Sequence, residues 1–417
     1  MEETMLIGSL PAVVLGDKII VFSPYTSLIA AFPLRQDKAD IQKEVKALGM
    51  AGEPGSLSLV DDSIGKIIIC TTYDCNLRCR YCFVSAGEKE PSVLDSRAIG
   101  RSIARLAQTG IKQLKVHFFG GEPTMNFSAI ESTVALLDKS LSIEAEYEVT
   151  TNGLVSPKHL DFMMDRDFVF SVSLDGMRDI HDFHRPTANG RGSFEQVVAT
   201  VDLLVKKSQP FRVRTTITSF SVSRMPEIVN FFADLGIEII HFEAFVPFGR
   251  GSRFQEFRPE PKLYADKFIE AMDEAAKRSV KITEFSLFQL FNPLAQKCFS
   301  MYKRRFVLLP DGKITFCLGA QSDRSDLSNL FYIGGYNAER DEVFLDETKI
   351  DKLRHSFSVD SIEKCRDCFA KYICCGICPA HNVIISGDPR KVDEFGCLVR
   401  RRLIKEAIIR IWKQSEQ

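Results

Sequence analysis

Lys66-Ile-Ile-Ile-Cys70-Thr-Thr-Tyr-Asp-Cys75-Asn-Leu-Arg-Cys79-Arg-Tyr-Cys82 is the stretch on which the reading of this 417-residue chain turns. Lys66 to Cys70 is a short β-rich apolar run of strand length. Directly after it, three cysteines follow at spacing C-x3-C-x2-C, so three thiolates can converge from one loop. A structural zinc site or a fully ligated 4Fe-4S cluster takes four protein ligands; three leave one metal ion open to a ligand that is not protein. Cys70 lies within the strand, where a buried structural cysteine is the simpler assignment.

Outward from that loop, Ile64 to about Glu284 alternates β-rich runs with amphipathic segments, the pattern of βα units around a parallel sheet. The predicted strands are Lys66–Cys70, Gln113–Phe119, Ala145–Thr150, Phe168–Leu174, Arg212–Thr218 and Ile237–Phe245. Helices are predicted between them at Asp95–Thr109, Ser128–Lys139, Pro157–Asp165, Ser193–Lys207 and Ser223–Leu235, with Ser193 and Ser223 as N-caps. Six repeats make a partial (β/α)6 TIM-like barrel; the two further pairs that would complete an eightfold barrel are not visible. Residues 1–62 read as a small β-rich module with a hairpin around Gly16-Asp17 and a helix over Lys38–Leu48. Residues 63–285 are the barrel and 286–400 a cysteine-rich region. Residues 401–417 belong to a basic amphipathic helix beginning near Leu398, whose apolar face is better covered by its own protein than by a membrane.

Lys and Arg number 54 against 55 Asp and Glu, a formal charge of -1, which gives no field for a polyanion. No local basic patch replaces it, so nucleic acid is not an expected partner. The chain opens with Glu2 and Glu3 instead of a basic segment, and Pro11 and Gly16 interrupt its first apolar stretch. That excludes a secretion signal, and no run is long enough to cross a bilayer, so a cytoplasmic location is expected. Twelve cysteines then point to metal, because thiols in a reducing compartment seldom form structural disulfides. None lies between Cys82 and Cys298, and eight fall between Cys298 and Cys397, which implies two separate metal regions.

Further residues cluster at the ends of the predicted strands, where a barrel site lies. They are Phe119-Gly120-Gly121-Glu122-Pro123-Thr124, Thr150-Thr-Asn152-Gly153, Ser171-Val-Ser173-Leu-Asp175-Gly176 and Arg185 in His181-Asp-Phe-His-Arg-Pro186. Singly each has a plain explanation. Gly-Gly-Glu-Pro is a turn, Asp175 caps one, Phe118 and Phe119 are core, and His184 and His241 are hydrogen-bonded structural histidines.

Taken in order, however, these motifs resemble the radical S-adenosylmethionine (SAM) enzymes, whose signature is C-x3-C-x2-C with an aromatic residue, here Tyr81, before the last cysteine. The resemblance implies that Cys75, Cys79 and Cys82 hold a 4Fe-4S cluster whose open iron is chelated by SAM. Electron transfer then yields methionine and a 5'-deoxyadenosyl radical that abstracts hydrogen from the substrate. It also implies that Gly120, Gly121, Glu122 and Pro123 meet the SAM amino group and that Asn152 belongs to the same cofactor site. Ser173 and Asp175 would lie near the ribose, Arg185 near the SAM carboxylate, and Ala244 to Val246 near adenine.

The second region, Cys298-x13-Gly312-x4-Cys317 followed by Cys365-x2-Cys368-x5-Cys374-x3-Cys378-x18-Cys397, resembles the SPASM extension of that family, with a hairpin over Phe306–Leu309 and Ile314–Cys317. Carried over, Cys365, Cys368, Cys374 and Cys397 ligate a distal auxiliary 4Fe-4S cluster. Cys298, Cys317 and Cys378 ligate a nearer one, for three clusters in all. Some relatives supply a further cysteine six residues before Cys298, where Asn292 stands here. Either Cys375 or a carboxylate closes that cluster, or one iron stays open. The alternative for this half is a zinc ribbon.

The family resemblance makes the expected function maturation of a ribosomally made precursor peptide, by thioether or carbon-carbon cross-linking, epimerisation or residue excision. An alternative is anaerobic sulfatase maturation to formylglycine, but the aspartate base of those relatives is replaced by Leu318. A third reading is a non-catalytic iron-sulfur or zinc scaffold, which leaves the strand-end motifs unexplained. Expected partners are the precursor peptide, a reductant such as flavodoxin or ferredoxin and, because residues 1–62 look too short for a complete leader-binding module, a separate leader-recognition protein.

Overall fold

Short β-branched runs alternate with helices whose apolar residues recur on one face, and in the computed structural model these elements assemble into a layered α/β fold. The structure describes residues 4–52, 63–89, 92–139, 143–284, 287, 290, 305–321 and 325–416. At the start, β1 (Thr4–Ile7), β2 (Leu10–Leu15), β3 (Lys18–Phe22) and β4 (Ile29–Pro33) form an antiparallel sheet in that order, followed by α1 (Lys38–Ala47). The predicted hairpin is β2–β3, with Leu15 paired to Lys18. β1 and β4 widen it to a sheet that the sequence reading did not anticipate.

The chain continues through β5 (Ile64–Cys70), α2 (Ser96–Ala107), β6 (Gln113–Phe119), α3 (Phe127–Asp138), β7 (Glu144–Thr151), α4 (Pro157–Met164) and β8 (Val169–Ser173). Next come α5 (Arg178–His184), α6 (Phe194–Lys206), β9 (Phe211–Ile217), α7 (Met225–Asp234), β10 (Ile239–Ala244) and α8 (Pro261–Lys277). β5 to β10 pair in sequence order, all parallel, as the six predicted strands. One further parallel strand was missed, β11 (Lys281–Thr283) on β10; β12 (Arg305–Leu308), expected as a hairpin strand, also joins the sheet in parallel on β5. Among the described residues these flanking strands do not pair with each other, so eight parallel strands are present without closing a ring. Beyond β12, the strands β13 (Lys313–Thr315), β14 (Tyr332–Asn337) and β15 (Glu342–Leu345) continue the same sheet antiparallel. The predicted hairpin of the cysteine-rich region, β12–β13, is therefore fused to the barrel through β5.

Alternate residues of the parallel strands, Val116, Phe118, Val149, Phe170, Val172, Val213 and Phe242, are buried against the helices. Residues of the other parity, including Lys66, His117, Glu148, Arg212, Arg214, His241 and Glu243, lie on the concave face. There Glu148 pairs with Lys66, His117 and Arg212, and Arg214 approaches Glu243 at 3.9 Å. Burial, reinforced by the cations Arg305, Arg212 and Lys115, pulls the Lys66 ammonium down to about 7.

Of the two predicted caps, Ser193 holds in position only and Ser223 is corrected. Ser193 occupies the cap position of α6, but its hydroxyl donates to the Arg185 carbonyl, and Asp182 Oδ1 accepts the Ser193 and Phe194 N–H groups instead. Helix α7 begins at Met225, after a 3-10 turn that contains Ser223. The last helix spans Glu394–Ser415, with Ile404, Ala407 and Ile408 packed against Val13, Ile20 and Phe22 of the N-terminal sheet. Its apolar face is thus covered by protein. No helix among the described residues is long and apolar enough to cross a membrane.

Candidate active site

Cys75, Cys79 and Cys82 occupy the loop after β5, half-buried, while Cys70 is buried on the strand beside Ile68, Val307 and Leu309. The loop is shaped from its neighbours. After β6, the N–H of Gly121 donates to Thr72 O at 2.9 Å and that of Glu122 to Asp74 O at 2.8 Å. A Cβ on Gly120 (φ +138°) would stand 2.5 Å from Thr72 O, and one on Gly121 only 2.1 Å from Asp74 O. Two glycines are thus required for the second strand end to touch the cysteine loop.

The Glu122 side chain is a buckle between strand ends. Its Oε1 accepts from Thr124 N–H (3.2 Å), Thr124 Oγ1 (2.7 Å) and Thr151 Oγ1 (2.9 Å), and its Oε2 from Asn152 N–H at 2.8 Å. Burial raises its pKa against the pull of these donors. Both oxygens are engaged within the protein. Asn152 in turn donates from Nδ2 to Asn76 Oδ1 at 2.7 Å and lies 3.6 Å from Cys75 Sγ, which also accepts from Leu77 N–H at 3.4 Å.

On the opposite side the loop rests on α5 and the residues after it. Arg80 N–H donates to His184 O at 2.9 Å and Arg78 N–H to Pro186 O at 2.7 Å. Arg185 and Asp175 form a buried bidentate pair, Nε–Oδ2 3.0 Å and Nη2–Oδ1 3.1 Å, with Thr216 N–H also on Oδ1 at 3.1 Å. The Tyr81 hydroxyl donates to Asp175, and the Arg185 guanidinium lies 5.1 Å from the Tyr81 ring centroid. Burial alone would raise the Asp175 carboxyl; the Arg185 charge and hydrogen bonds outweigh it and hold the group below the usual carboxylate range. The structure therefore brings Tyr81, Asp175 and Arg185 together as one network. Ser173 ends β8 half-buried, in register with Arg214.

The predicted structural histidines are each held in place. His184 is buried, bonds Thr218 Oγ1 at 2.9 Å and packs on Tyr81 with centroids 5.5 Å apart, and burial pulls its pKa to about 4. His241 bonds Thr283 Oγ1 at 3.0 Å and Glu243 Oε2 at 3.2 Å. Missed from sequence was Arg250, buried in the turn after β10, which donates to the carbonyl of Cys79. Its partners lie too far off in sequence for spacing to reveal.

In the cysteine-rich region Cys365, Cys368, Cys374 and Cys397 line one cavity of about 290 Å³, rimmed by Lys364, Lys371 and Arg401. Burial, and then the neighbouring thiols, push Cys365 up to about 12. Cys317 Sγ accepts from Gly319 N–H at 3.3 Å, and a Cβ on Gly319 would be 3.4 Å from that sulfur and 3.7 Å from Ala380 Cβ. Cys317 thus lies beside the helix Pro379–Ser386, which Cys378 precedes as N-cap. Cys375, in left-handed backbone at φ +56°, has its thiol 3.7 Å from Tyr372 O and 3.9 Å from Ile373 O. Cys298 and Asn292 lie outside the described residues. Among the described residues no three His, Cys, Asp or Glu side chains close around a single ion.

A βα layer with three cysteines on the loop after its first strand, a Gly-Gly turn against that loop and a buried strand-end network defines a class. The Radical SAM superfamily model matches residues 69–232, and this part of the chain is a radical SAM domain. The domain implies SAM and a 4Fe-4S cluster, which the placement of Cys75, Cys79 and Cys82 fits.

Particular relatives narrow the comparison. The chain is 20% identical over 331 residues to the serine-type anaerobic sulfatase-maturating enzyme of Klebsiella aerogenes, covering 74% of this chain and 77% of that enzyme. An uncharacterised protein of Methanocaldococcus jannaschii is 29% identical over 188 residues, 45% of this chain and 64% of that protein, so the match spans less than two thirds of it. Among solved structures, anSMEcpe with bound AdoMet and Cp18Cys peptide superposes with TM-score 0.69 at 18% identity, covering 85% of this chain and 99% of that one. Streptococcus suis SuiB bound to precursor peptide SuiA gives TM-score 0.60 at 14% identity, covering 95% and 99%. At these identities the structures bear on the fold, which they share from the barrel into the cysteine-rich region.

Proposed function

We propose that this chain is a radical SAM peptide maturase of the SPASM type, acting on a ribosomally made precursor peptide. One observation carries the reading: a three-cysteine loop at the barrel mouth and a separate four-cysteine cavity in the same chain. The peptide-bound states of anSMEcpe and SuiB support a peptide substrate. When bound, the cluster and SAM supply reductive cleavage of the sulfonium and a carbon radical able to abstract hydrogen. The protein's own part is placement. Cys75, Cys79 and Cys82 hold the cluster, and the backbone at Gly120-Gly121 keeps the second strand end against their loop. Tyr81, Asp175 and Arg185 form a rigid charged wall beside the cysteines. On the concave face the half-exposed Glu243 carboxyl is held below the usual carboxylate range by the hydrogen bond to His241 and the nearby Arg214 guanidinium, giving a negative charge for orienting substrate.

Sulfatase maturation is the second reading, favoured by the match to the Klebsiella enzyme and opposed by Leu318 at the position of the base. The two auxiliary clusters are part of the proposal, as are a separate leader-recognition protein and a flavodoxin- or ferredoxin-like reductant. Anaerobic protein reconstituted with iron and sulfide, then chemically reduced, should convert SAM to 5'-deoxyadenosine, and Cys75→Ala should not. Conversion of a cysteine- or serine-bearing sulfatase peptide to formylglycine would favour the second reading over the first.

A further inference from the structure

The turn after β10 returns to the cysteine loop and grips it through one side chain. Arg250, only 6% exposed, donates from Nη1 to Cys79 O at 2.9 Å, from Nη2 to Ala86 O at 2.7 Å and from Nε to Glu88 Oε1 at 2.7 Å. Its own N–H donates to Cys82 O at 2.9 Å. The backbone on either side is closely fitted. A Cβ on Gly249 (φ +55°) would lie 2.3 Å from Phe83 O, and one on Gly251 3.3 Å from Tyr81 Cα. Four hydrogen bonds from one residue therefore tie Cys79, Cys82, Ala86 and Glu88 to the end of the sixth strand. Only guanidinium offers donors in a rigid plane that can satisfy three acceptors at once; an ammonium keeps the charge but not the fork.

We infer that Arg250 is a positioning residue that sets the shape of the Cys79–Glu88 stretch before any metal arrives and keeps a permanent positive charge beside the cluster thiolates. This rests on the cluster assignment to Cys75, Cys79 and Cys82 and is independent of which substrate is modified. In a low-dielectric site a fixed cation favours the reduced, more negative form of a neighbouring cluster.

The test uses the full chain as Arg250→Met, Arg250→Lys and Glu88→Gln. In metal-free, reduced protein, iodoacetamide labelling of Cys79 and Cys82, read by mass spectrometry, should quicken several-fold in both Arg250 variants, with labelling of Cys365 unchanged as the control. In reconstituted protein the midpoint potential of the cluster whose EPR signal responds to SAM should fall in Arg250→Met and be retained in Arg250→Lys. Wild-type labelling rates and potential in Arg250→Met would overturn the inference. Should Arg250→Met fail to fold, Glu88→Gln decides: quicker labelling of Cys79 and Cys82 supports the clamp, and an unchanged rate overturns it. A wild-type protein in which no cluster signal responds to SAM would sink the functional reading, while the labelling result still decides for or against the clamp.

Discussion

Asp175 shows how much of this site is decided by single buried side chains. Its carboxylate has no exposure to water and is matched by Arg185, Tyr81 and a backbone N–H. Breaking a buried pair by removing one charge costs about 3–5 kcal/mol, because the other is left uncompensated. Asp175→Asn should therefore lower thermal stability at pH 7. The pH dependence follows from the depressed pKa: the stabilisation is complete above the unfolded value of about 3.9 and is lost as pH falls through the lower folded value. The gap in melting temperature between wild type and Asp175→Asn should be constant from pH 7 to about 5 and shrink below 4. A gap independent of pH would show that the carboxylate is not ionised in the native state. At this scale the cysteines and strand-end motifs were legible in the sequence because their meaning is local: spacing along one loop, or a turn at one strand end. Arg250 was not, since its carbonyl partner at Cys79 lies 171 residues away. Nor was the engagement of both Glu122 oxygens within the protein, which depends on Thr151 and Asn152 arriving from the next strand.

Among the elements, the six central strands and their helices were readable from periodicity, since each strand buries alternate residues and each helix one face. β11 has three residues, too few for any period to register, and β12, readable as a hairpin strand, joins the parallel sheet only because β5 offers its edge. Ser193 stands at the cap of α6 as expected, but Asp182, from the preceding helix, supplies the acceptor that a local pattern assigns to it. The contact between the turn after β6 and the cysteine loop invites a direct test. Gly121→Ala would drive a Cβ to 2.1 Å from Asp74 O, so the loop must move. Iron bound at the first site after anaerobic reconstitution should drop severalfold. Gly312→Ala is the control: at φ +79° it is strained by about 1 kcal/mol, but its nearest neighbours are 3.7 Å away, so iron at that site should be unchanged. Equal losses in both variants would mean that general destabilisation, not loop placement, governs cluster assembly.

For the molecule as a whole, the N-terminal sheet and the terminal helix are partners. Val13, Ile20 and Phe22 pack in one cluster with Ile404 and Ile408 and with Ile373, Cys365 and Cys374 of the four-cysteine cavity. The small module, read from sequence as a β-rich unit of its own, is thus part of the wall supporting the second cysteine site. No sequence pattern could reveal this, because the contacting residues stand at opposite ends of the chain. Phe22→Ala should cost about 3–5 kcal/mol and selectively weaken the iron retention proposed for Cys365, Cys368, Cys374 and Cys397, leaving the Cys75–Cys82 site loaded. Loss of iron from both sites in equal measure would contradict that division of support. The claim on which everything else stands is that the three-thiol loop holds a cluster that is accessible to SAM and used for catalysis. The most direct measurement is EPR of the anaerobically reconstituted, reduced chain with and without SAM, paired with quantitation of 5'-deoxyadenosine. A cluster signal that shifts on adding SAM, with turnover abolished in Cys79→Ala, is the predicted result; a reduced protein whose spectrum ignores SAM and which leaves it uncleaved would contradict the account.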